Sequence, residues 1–289
     1  MNPKKSTLLF PKDYQNHKYS LIHFAFFLQY IKISGITVEL VDSSDTVFVS
    51  DDKLLFSCVL DGKQFVVDYS DHHYKNWKPD FENIPYFKFQ TTKEKSKDII
   101  SLGPPIVGAK IVGIKGATMR EYLHMRNIFE YSPKDKILAK QIPNGAATER
   151  RSRVHQLLKE SYGELVDTDV DCDQLEFWEL HKSALASICV PGATNNMADR
   201  GQTELLGLGV CTISPEIKTI FPYDKVLKPN FHYIKCNDDY SDLVDIVKKL
   251  QKDPDKSLRI GKNARRFYEK YYFPEVYGKW IIKKVLENG

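Results

Sequence analysis

The sequence predicts an α/β protein of two domains, and three observations carry that reading. The chain has 289 residues, 42% hydrophobic and 28% charged, which is ample for a core and long for one domain of ordinary size. Short apolar or β-branched runs bounded by Asp, Ser or Gly recur through the first 125 residues or so. From Lys136 onward strands alternate with helical patterns at a spacing that means βαβ units and a parallel sheet.

In chain order, Leu21 to Leu28 reads as a buried helix, because His23, Gln29 and Lys32 interrupt or follow an apolar run far short of the roughly 20 residues of a membrane span. Strands are expected at Thr37 to Leu40, Thr46 to Val49, Leu54 to Val59, Gln64 to Val67 and Tyr86 to Phe89. The Gly and Pro of LGPPIVGAKIVG mark a turn-rich connection, and Met119 to Glu130 reads as a helix. The first domain is placed at residues 1–130 and the second at 131–266.

In the second domain ILAKQI is a strand and Thr148 to Lys159 a helix with Thr148 as its N-cap. Phe177 to Ala184 is helical, Leu185 to Val190 a buried strand, Gln202 to Leu208 the start of a helix and Val210 to Ile213 a strand. HYIKC is a strand, followed by a helix with Leu243, Ile246, Val247 and Leu250 on one face. The last stretch reads as one long helix broken at Pro274, with residues 267–289 crossing back to pack on the first domain.

Charge and cysteine usage exclude several classes. A net charge of +4 demands no polyanion-binding face, so nucleic acid is not an expected partner. The N-terminus lacks the apolar stretch of a secretory signal, and five cysteines with no CxxC pair read as reduced thiols rather than a disulfide or zinc framework. A cytoplasmic location is expected.

Two segments carry chemistry. After the strand ILAKQI comes a loop with Gly145, and then Arg150, Arg151 and Arg153 in the first two turns of a helix. Cations there oppose the helix macrodipole by roughly 0.3 to 1 kcal/mol each, so an anion such as a diphosphate would offset them; alternatively one of them, Arg151 in particular, pairs with Glu149 or is solvated. Further on, the strand Leu185 to Val190 ends in Pro191-Gly192, and Arg200 and Glu204 sit near the next helix start. Ligands bind at the carboxyl ends of strands in open α/β sheets. There Glu204 offers a carboxylate for two ribose hydroxyls, Arg200 a phosphate donor, and the glycines close backbone approach. The plainer reading is an i, i+4 ion pair between Arg200 and Glu204.

The pattern Ser187-x-Cys189-x-x-Gly192, then Arg200, Glu204 and a Gly before an apolar strand, resembles the donor-binding half of GT-B glycosyltransferases. It is similar to the exostosin-like family, to the protein O-glucosyl- and O-xylosyltransferases and, in size, to compact glycosyltransferases of large algal viruses. The resemblance spans about residues 137–272. Three residues separate Arg200 from Glu204 where the exostosin pattern has two. It implies two facing Rossmann-like domains, a UDP-sugar held by Arg150, Arg153, Pro191, Gly192, Arg200 and Glu204, and a glycan or glycoprotein acceptor on the first domain. It favours xylose or glucose as the sugar and requires no metal or other cofactor.

An inverting transferase needs a general base beside the acceptor. The loop after FVVD offers Asp68, Asp71, His72 and His73; Asp71, off the strand end, is the first choice and His72 or His73 the next, with Tyr74 and Trp77 suited to stacking on a sugar. An aspartate that caps a turn beside surface histidines is the bland alternative. Finally, Asp167 to Asp173 (DTDVDCD) contains the Asp-x-Asp spacing of metal-dependent GT-A enzymes at Asp169 and Asp171. It lacks the Gly and Glu of a calcium loop, with Cys172 and Trp178 in their places, and reads more simply as an acidic turn capping a helix. The competing functions are a non-catalytic nucleotide- or glycan-binding module and a GT-A-type transferase.

Overall fold

A computed structural model describes residues 6–14, 27–28, 30–52, 54–70, 81, 83–93, 98–103, 126–192 and 196–288, with only the backbone of Arg200 and Asn288. The chain divides into two compact α/β units, one of residues 1–123, 220–225 and 270–289, the other of 124–219 and 226–269.

The first unit is built on a six-stranded sheet in the order β2-β1-β3-β4-β5-β6. Its strands are β1 (Thr7–Pro11), β2 (Thr37–Val41), β3 (Leu55–Leu60), β4 (Lys63–Asp68), β5 (Tyr86–Lys88) and β6 (Ile100–Ser101). The sheet is mixed: β3 pairs antiparallel with both β1 and β4, while β2–β1 and β4–β5–β6 run parallel. Asp61 and Gly62, both at positive φ, close the β3–β4 hairpin. Thr46 to Val49, expected as a strand, instead turns, with one isolated bridge from Val49 to Phe56. The Ser44 hydroxyl takes the Val47 N–H and its backbone N–H bonds the Val47 carbonyl, an arrangement that competes with a ladder.

By the strand register Phe10, Phe56, Phe65 and Phe87 share one face of this sheet. Phe10, Tyr14, Phe56 and Tyr69 pack together, and Phe65 and Phe87 meet Phe27 and Trp280. The C-terminal stretch forms two helices rather than one bent helix, since Pro274 occupies the first position of a new one, where its missing N–H costs nothing. Gly278 of that second helix lies against the Tyr30 side chain, where any Cβ would collide.

The second unit holds a wholly parallel five-stranded sheet. Its strands are β7 (Ile137–Leu138), β8 (Val166–Asp167), β9 (Ala186–Ile188), β10 (Thr212–Ser214) and, after β11 (Ile220–Phe221) and β12 (Lys225–Val226), β13 (Ile234–Lys235). Around them run α1 (Thr148–Tyr162), α2 (Gln174–Lys182), α3 (Arg200–Leu208), α4 (Leu243–Lys252) and α5 (Pro254–Tyr271), with α6 (Pro274–Asn288) returning to the first unit. The order β13-β10-β9-β7-β8 is that of a doubly wound Rossmann-like sheet whose direction of winding reverses between β7 and β9.

Core packing follows the apolar stripes. Val154 and Leu158 of α1, Leu243, Val247 and Leu250 of α4 and Ile260 of α5 join Ile137, Ile188 and Ile213 of the strands in one cluster. Each such side chain contributes about 1.5 to 3 kcal/mol on burial. Gly209 ends α3 in the left-handed conformation at φ 91°. The carbonyl of Gly209 lies so close to Gly261 of α5 that a side chain at 261 would strike backbone. Gly192, by contrast, has no atom within 4 Å of where a Cβ would stand.

Candidate functional site

The winding reverses between β7 and β9, and the carboxyl ends of strands at such a switch point are the place where doubly wound sheets bind ligands. Two segments follow these strands: residues 139–147 after β7, and 189–192 with 196–199 after β9. The carboxamide oxygen of Gln141 accepts the Val190 N–H and so ties one loop to the other.

Arg151, near the start of α1, is buried and spent on structure. Its Nε and NH2 donate to the Val190 carbonyl at 3.2 and 3.1 Å, and its NH1 to the Ile142 carbonyl at 2.7 Å and Asn144 Oδ1 at 3.2 Å. Its NH2 also meets Asp199 Oδ2 at 3.3 Å. Buried carbonyls past a strand end need donors, and a guanidinium supplies five in a fixed fork. Arg151 pairs neither with Glu149 nor with solvent.

Arg150 is half-buried, and its NH2 donates to the carbonyls of Pro191 (3.0 Å) and Gly192. Pro191 and Gly192 therefore meet Arg150 through their backbone. The Arg150 Nε is buried without a hydrogen-bond partner. Arg153 is exposed and donates to the Asp239 carbonyl at 3.3 Å, in the loop after β13. Thr148 sits inside α1 rather than capping it; its hydroxyl donates to the Gly145 carbonyl. Ala147 holds the N-cap position, with no side-chain cap on the first N–H groups.

Two further polar atoms are orphaned here: the Gln141 Nε2 and the Tyr240 hydroxyl, both buried without partners. Tyr240 is 1% exposed, and burial raises its pKa against the lowering influence of Arg150 and Arg151. Three donors (Gln141 Nε2, Arg150 Nε and Tyr240 OH) are thus left unpaired around the ends of β7, β9 and β13. A buried unpaired polar atom costs about 1 to 3 kcal/mol, so an acceptor-rich ligand is what such a group fits. Sequence reasoning missed Gln141 and Tyr240. The polar Gln ending the apolar run ILAK is a readable signal in retrospect, whereas NDDYSD gives none for Tyr240.

Arg200 begins α3 behind the N-cap Asp199, whose Oδ1 accepts the Gly201 N–H at 2.9 Å. Glu204, one turn later, is 4% exposed. Its Oε1 accepts from Trp178 Nε1 at 2.6 Å and Gln174 Nε2 at 2.9 Å, both on α2. Burial raises its pKa to about 8, with the Trp178 bond pulling the other way. Burial thus favours the protonated form of Glu204, whose Oε1 accepts both N–H groups.

In the first unit, Asp71, His72, His73, Tyr74 and Trp77 lie outside the described residues. Asp68 is fully buried at the end of β4 and held by Lys88 Nζ (2.9 Å), Tyr86 OH (2.6 Å), and Ser70 N–H (2.8 Å) and Oγ (2.6 Å). A carboxylate so enclosed reaches no acceptor and is set aside as a base. Asp169 and Asp171 are exposed members of a ladder of turns: Asp167 accepts the Asp169 N–H, Asp169 that of Asp171, and Asp173 caps α2. Among the described residues no three His, Cys, Asp or Glu side chains gather as a metal site would need, and no helix is long and apolar enough to cross a membrane.

No protein-family profile and no curated protein matches the chain. Among solved structures it is similar to a sucrose-phosphate synthase from Thermosynechococcus elongatus, at 15% identity and a TM-score of 0.39 over 53% of this chain. The matched part spans 38% of that protein, a likeness too slight to bear on activity.

Proposed function

We propose that the protein is an inverting glycosyltransferase that moves a sugar, xylose or glucose favoured, from a UDP-sugar to a hydroxyl of a glycan or protein. The observation that supports it is the set of three unpaired buried donors at the switch point of a parallel sheet, beside the uncapped start of a helix. A diphosphate presents the acceptors these donors lack. In this reading Gln141, Arg150 and Tyr240 hold its oxygens, with Arg153 and the first α1 amides adding positive potential. Pro191 and Gly192 set the position of Arg150, Arg200 contacts a phosphate, and Glu204 is the ribose ligand.

Transfer is a direct displacement at the anomeric carbon. Asp71, or else His72, takes the acceptor hydroxyl proton, the new C–O bond forms as the bond to the diphosphate breaks, and the UDP leaves with the electron pair. Nothing in this scheme calls for a metal.

A thermal-shift screen of nucleotide-sugars followed by a hydrolysis assay tests the proposal. A UDP-sugar should raise the melting temperature and be hydrolysed slowly without acceptor, and Asp71→Asn should lower kcat by about 10² to 10⁴ with donor binding kept. A shift without turnover identifies a binding module instead. Turnover abolished by chelation and restored by Mn²⁺ would move the chemistry to Asp169 and Asp171, and a product of retained configuration rejects the single displacement.

A further inference from the structure

The loop that carries Gln141 also carries Asn144-Gly145, and the surroundings of that dipeptide set up a reaction. Asn144 is exposed and has an extended backbone, φ −145° and ψ 162°. Gly145 is exposed at φ 54°, and no atom lies within 4 Å of where its Cβ would be. Among the described residues the Gly145 N–H has no hydrogen-bond partner. The Asn144 carboxamide does not cap the short 3-10 turn that follows it. Its Oδ1 instead accepts from Arg151 NH1 at 3.2 Å, and a cationic donor on that oxygen draws electrons from Cγ.

We infer that Asn144-Gly145 is a deamidation site that places a new carboxylate against Arg151, in the loop after β7 that also carries Gln141. The Gly145 nitrogen attacks Asn144 Cγ and gives up its proton to solvent. The C–N bond of the carboxamide breaks, and the nitrogen leaves as ammonia with a proton from water, closing a five-membered imide. Water then adds to one imide carbonyl and opens the ring to aspartate or isoaspartate. No oxidant or enzyme is needed; water is the co-reactant. Glycine matters at 145 because a side chain there would crowd the attacking nitrogen, and the open space around Gly145 leaves its backbone room to turn toward the Asn144 side chain.

The product changes the electrostatics of one place only. Arg151 exchanges a neutral acceptor for a carboxylate, so the ion pair and the negative charge ahead of α1 favour the folded state. The same charge sits in the loop that carries Gln141 and opposes an anionic ligand there. The chemical step is independent of the proposed function; only its effect on ligand binding rests on that reading.

The test is to age the full chain in mildly alkaline buffer and map its peptides by mass spectrometry with enzymatic isoaspartate labelling. The sequence contains a second Asn-Gly pair, Asn288-Gly289, which serves as a reference within the same sample. Conversion at Asn144, slowed in Gly145→Ala and absent in Asn144→Gln, is the expected result. An aged sample converted at Asn288 and intact at Asn144 overturns the inference. In parallel, Asn144→Asp should melt at a higher temperature than the wild type and bind UDP about 3- to 10-fold more weakly at low salt. An unchanged UDP affinity in Asn144→Asp, with wild type binding normally, overturns the effect on ligand binding. A wild type that binds no nucleoside diphosphate overturns the proposed function, while the mass map still decides the chemistry.

Discussion

Asp199 binds Arg151 with one carboxylate oxygen and the first turn of α3 with the other. Its Oδ2 lies 3.3 Å from Arg151 NH2 and its Oδ1 accepts the Gly201 N–H at 2.9 Å. A single side chain thereby joins the start of α1 to the start of α3 across the switch point. Asp199→Ala removes a helix cap and leaves a buried guanidinium short of its countercharge. The expected loss is about 2 to 4 kcal/mol by urea unfolding. Asp199→Asn keeps the cap acceptor and should lose less. A variant within about 0.5 kcal/mol of wild type would show that the two helices are held independently.

The orphaned donors call for a different signature, in which stability and binding move in opposite directions. Tyr240→Phe removes an unpaired buried hydroxyl, so the free protein should gain about 1 kcal/mol. The same change takes one donor from the ligand, and UDP affinity should fall by about 0.5 to 1.5 kcal/mol. Calorimetry and thermal unfolding on one preparation measure both. If stability falls and affinity holds, the Tyr240 hydroxyl has a structural partner and the switch point needs another occupant.

Glu204 gives the protein a pH dependence whose sign is fixed by its raised value. The group binds its proton more tightly folded, at about 8, than unfolded, near the ordinary 4.5. The stability it contributes is complete below 4.5, and falls as pH rises toward about 8, at up to about 1.4 kcal/mol per unit. Glu204→Gln keeps an acceptor for Trp178 and Gln174 and has no charge to bury. Its stability should be flatter with pH, so that it exceeds wild type by about 1 to 3 kcal/mol at the alkaline end. Parallel curves for the two proteins would mean that the carboxyl is already ionised at neutral pH.

How much of this the sequence disclosed depends on the range of the interaction. The alternation after Lys136 and the apolar face of Leu243, Val247 and Leu250 are local periodicities, and they led directly to the parallel sheet of the second unit. The antiparallel β3 within the first sheet was not legible, because the turn at Asp61-Gly62 fixes a hairpin while the pairing of β3 with β1 joins residues some fifty positions apart. At the site, the arginine cluster and the strand ending at Pro191 were visible as motifs. Which arginine keeps an unpaired donor was not, since that depends on the carbonyls of Val190 and Ile142 taking Arg151 first. Nor could sequence foresee that Trp178 and Gln174 would enclose Glu204, because α2 begins three residues earlier than the pattern suggests, behind the cap Asp173.

The Asp68–Lys88 pair at the carboxyl ends of β4 and β5 yields the last prediction. Both side chains have no exposed surface and lie 2.9 Å apart, and Lys88 Nζ also donates to the Ser70 carbonyl (3.1 Å) and hydroxyl (2.8 Å). Every polar group of Ser70 is thereby engaged, which fixes the chain just before residue 71. Such a pair is not by itself a source of stability, because burying two charges costs about what their attraction returns. Removing one partner is another matter: Lys88→Met leaves the Asp68 charge uncompensated, and the cost should be about 3 to 5 kcal/mol. Asp68→Asn added to Lys88→Met removes that charge and keeps acceptors for Ser70 and a partner for Tyr86, so the double variant should recover at least half of the loss. A double-mutant cycle by urea unfolding measures the coupling. Additive losses would mean that the two side chains stabilise the sheet separately. If the double variant folds well and loses turnover of a UDP-sugar while still binding it, the pair acts by holding Ser70, which immediately precedes Asp71 and His72 in the chain.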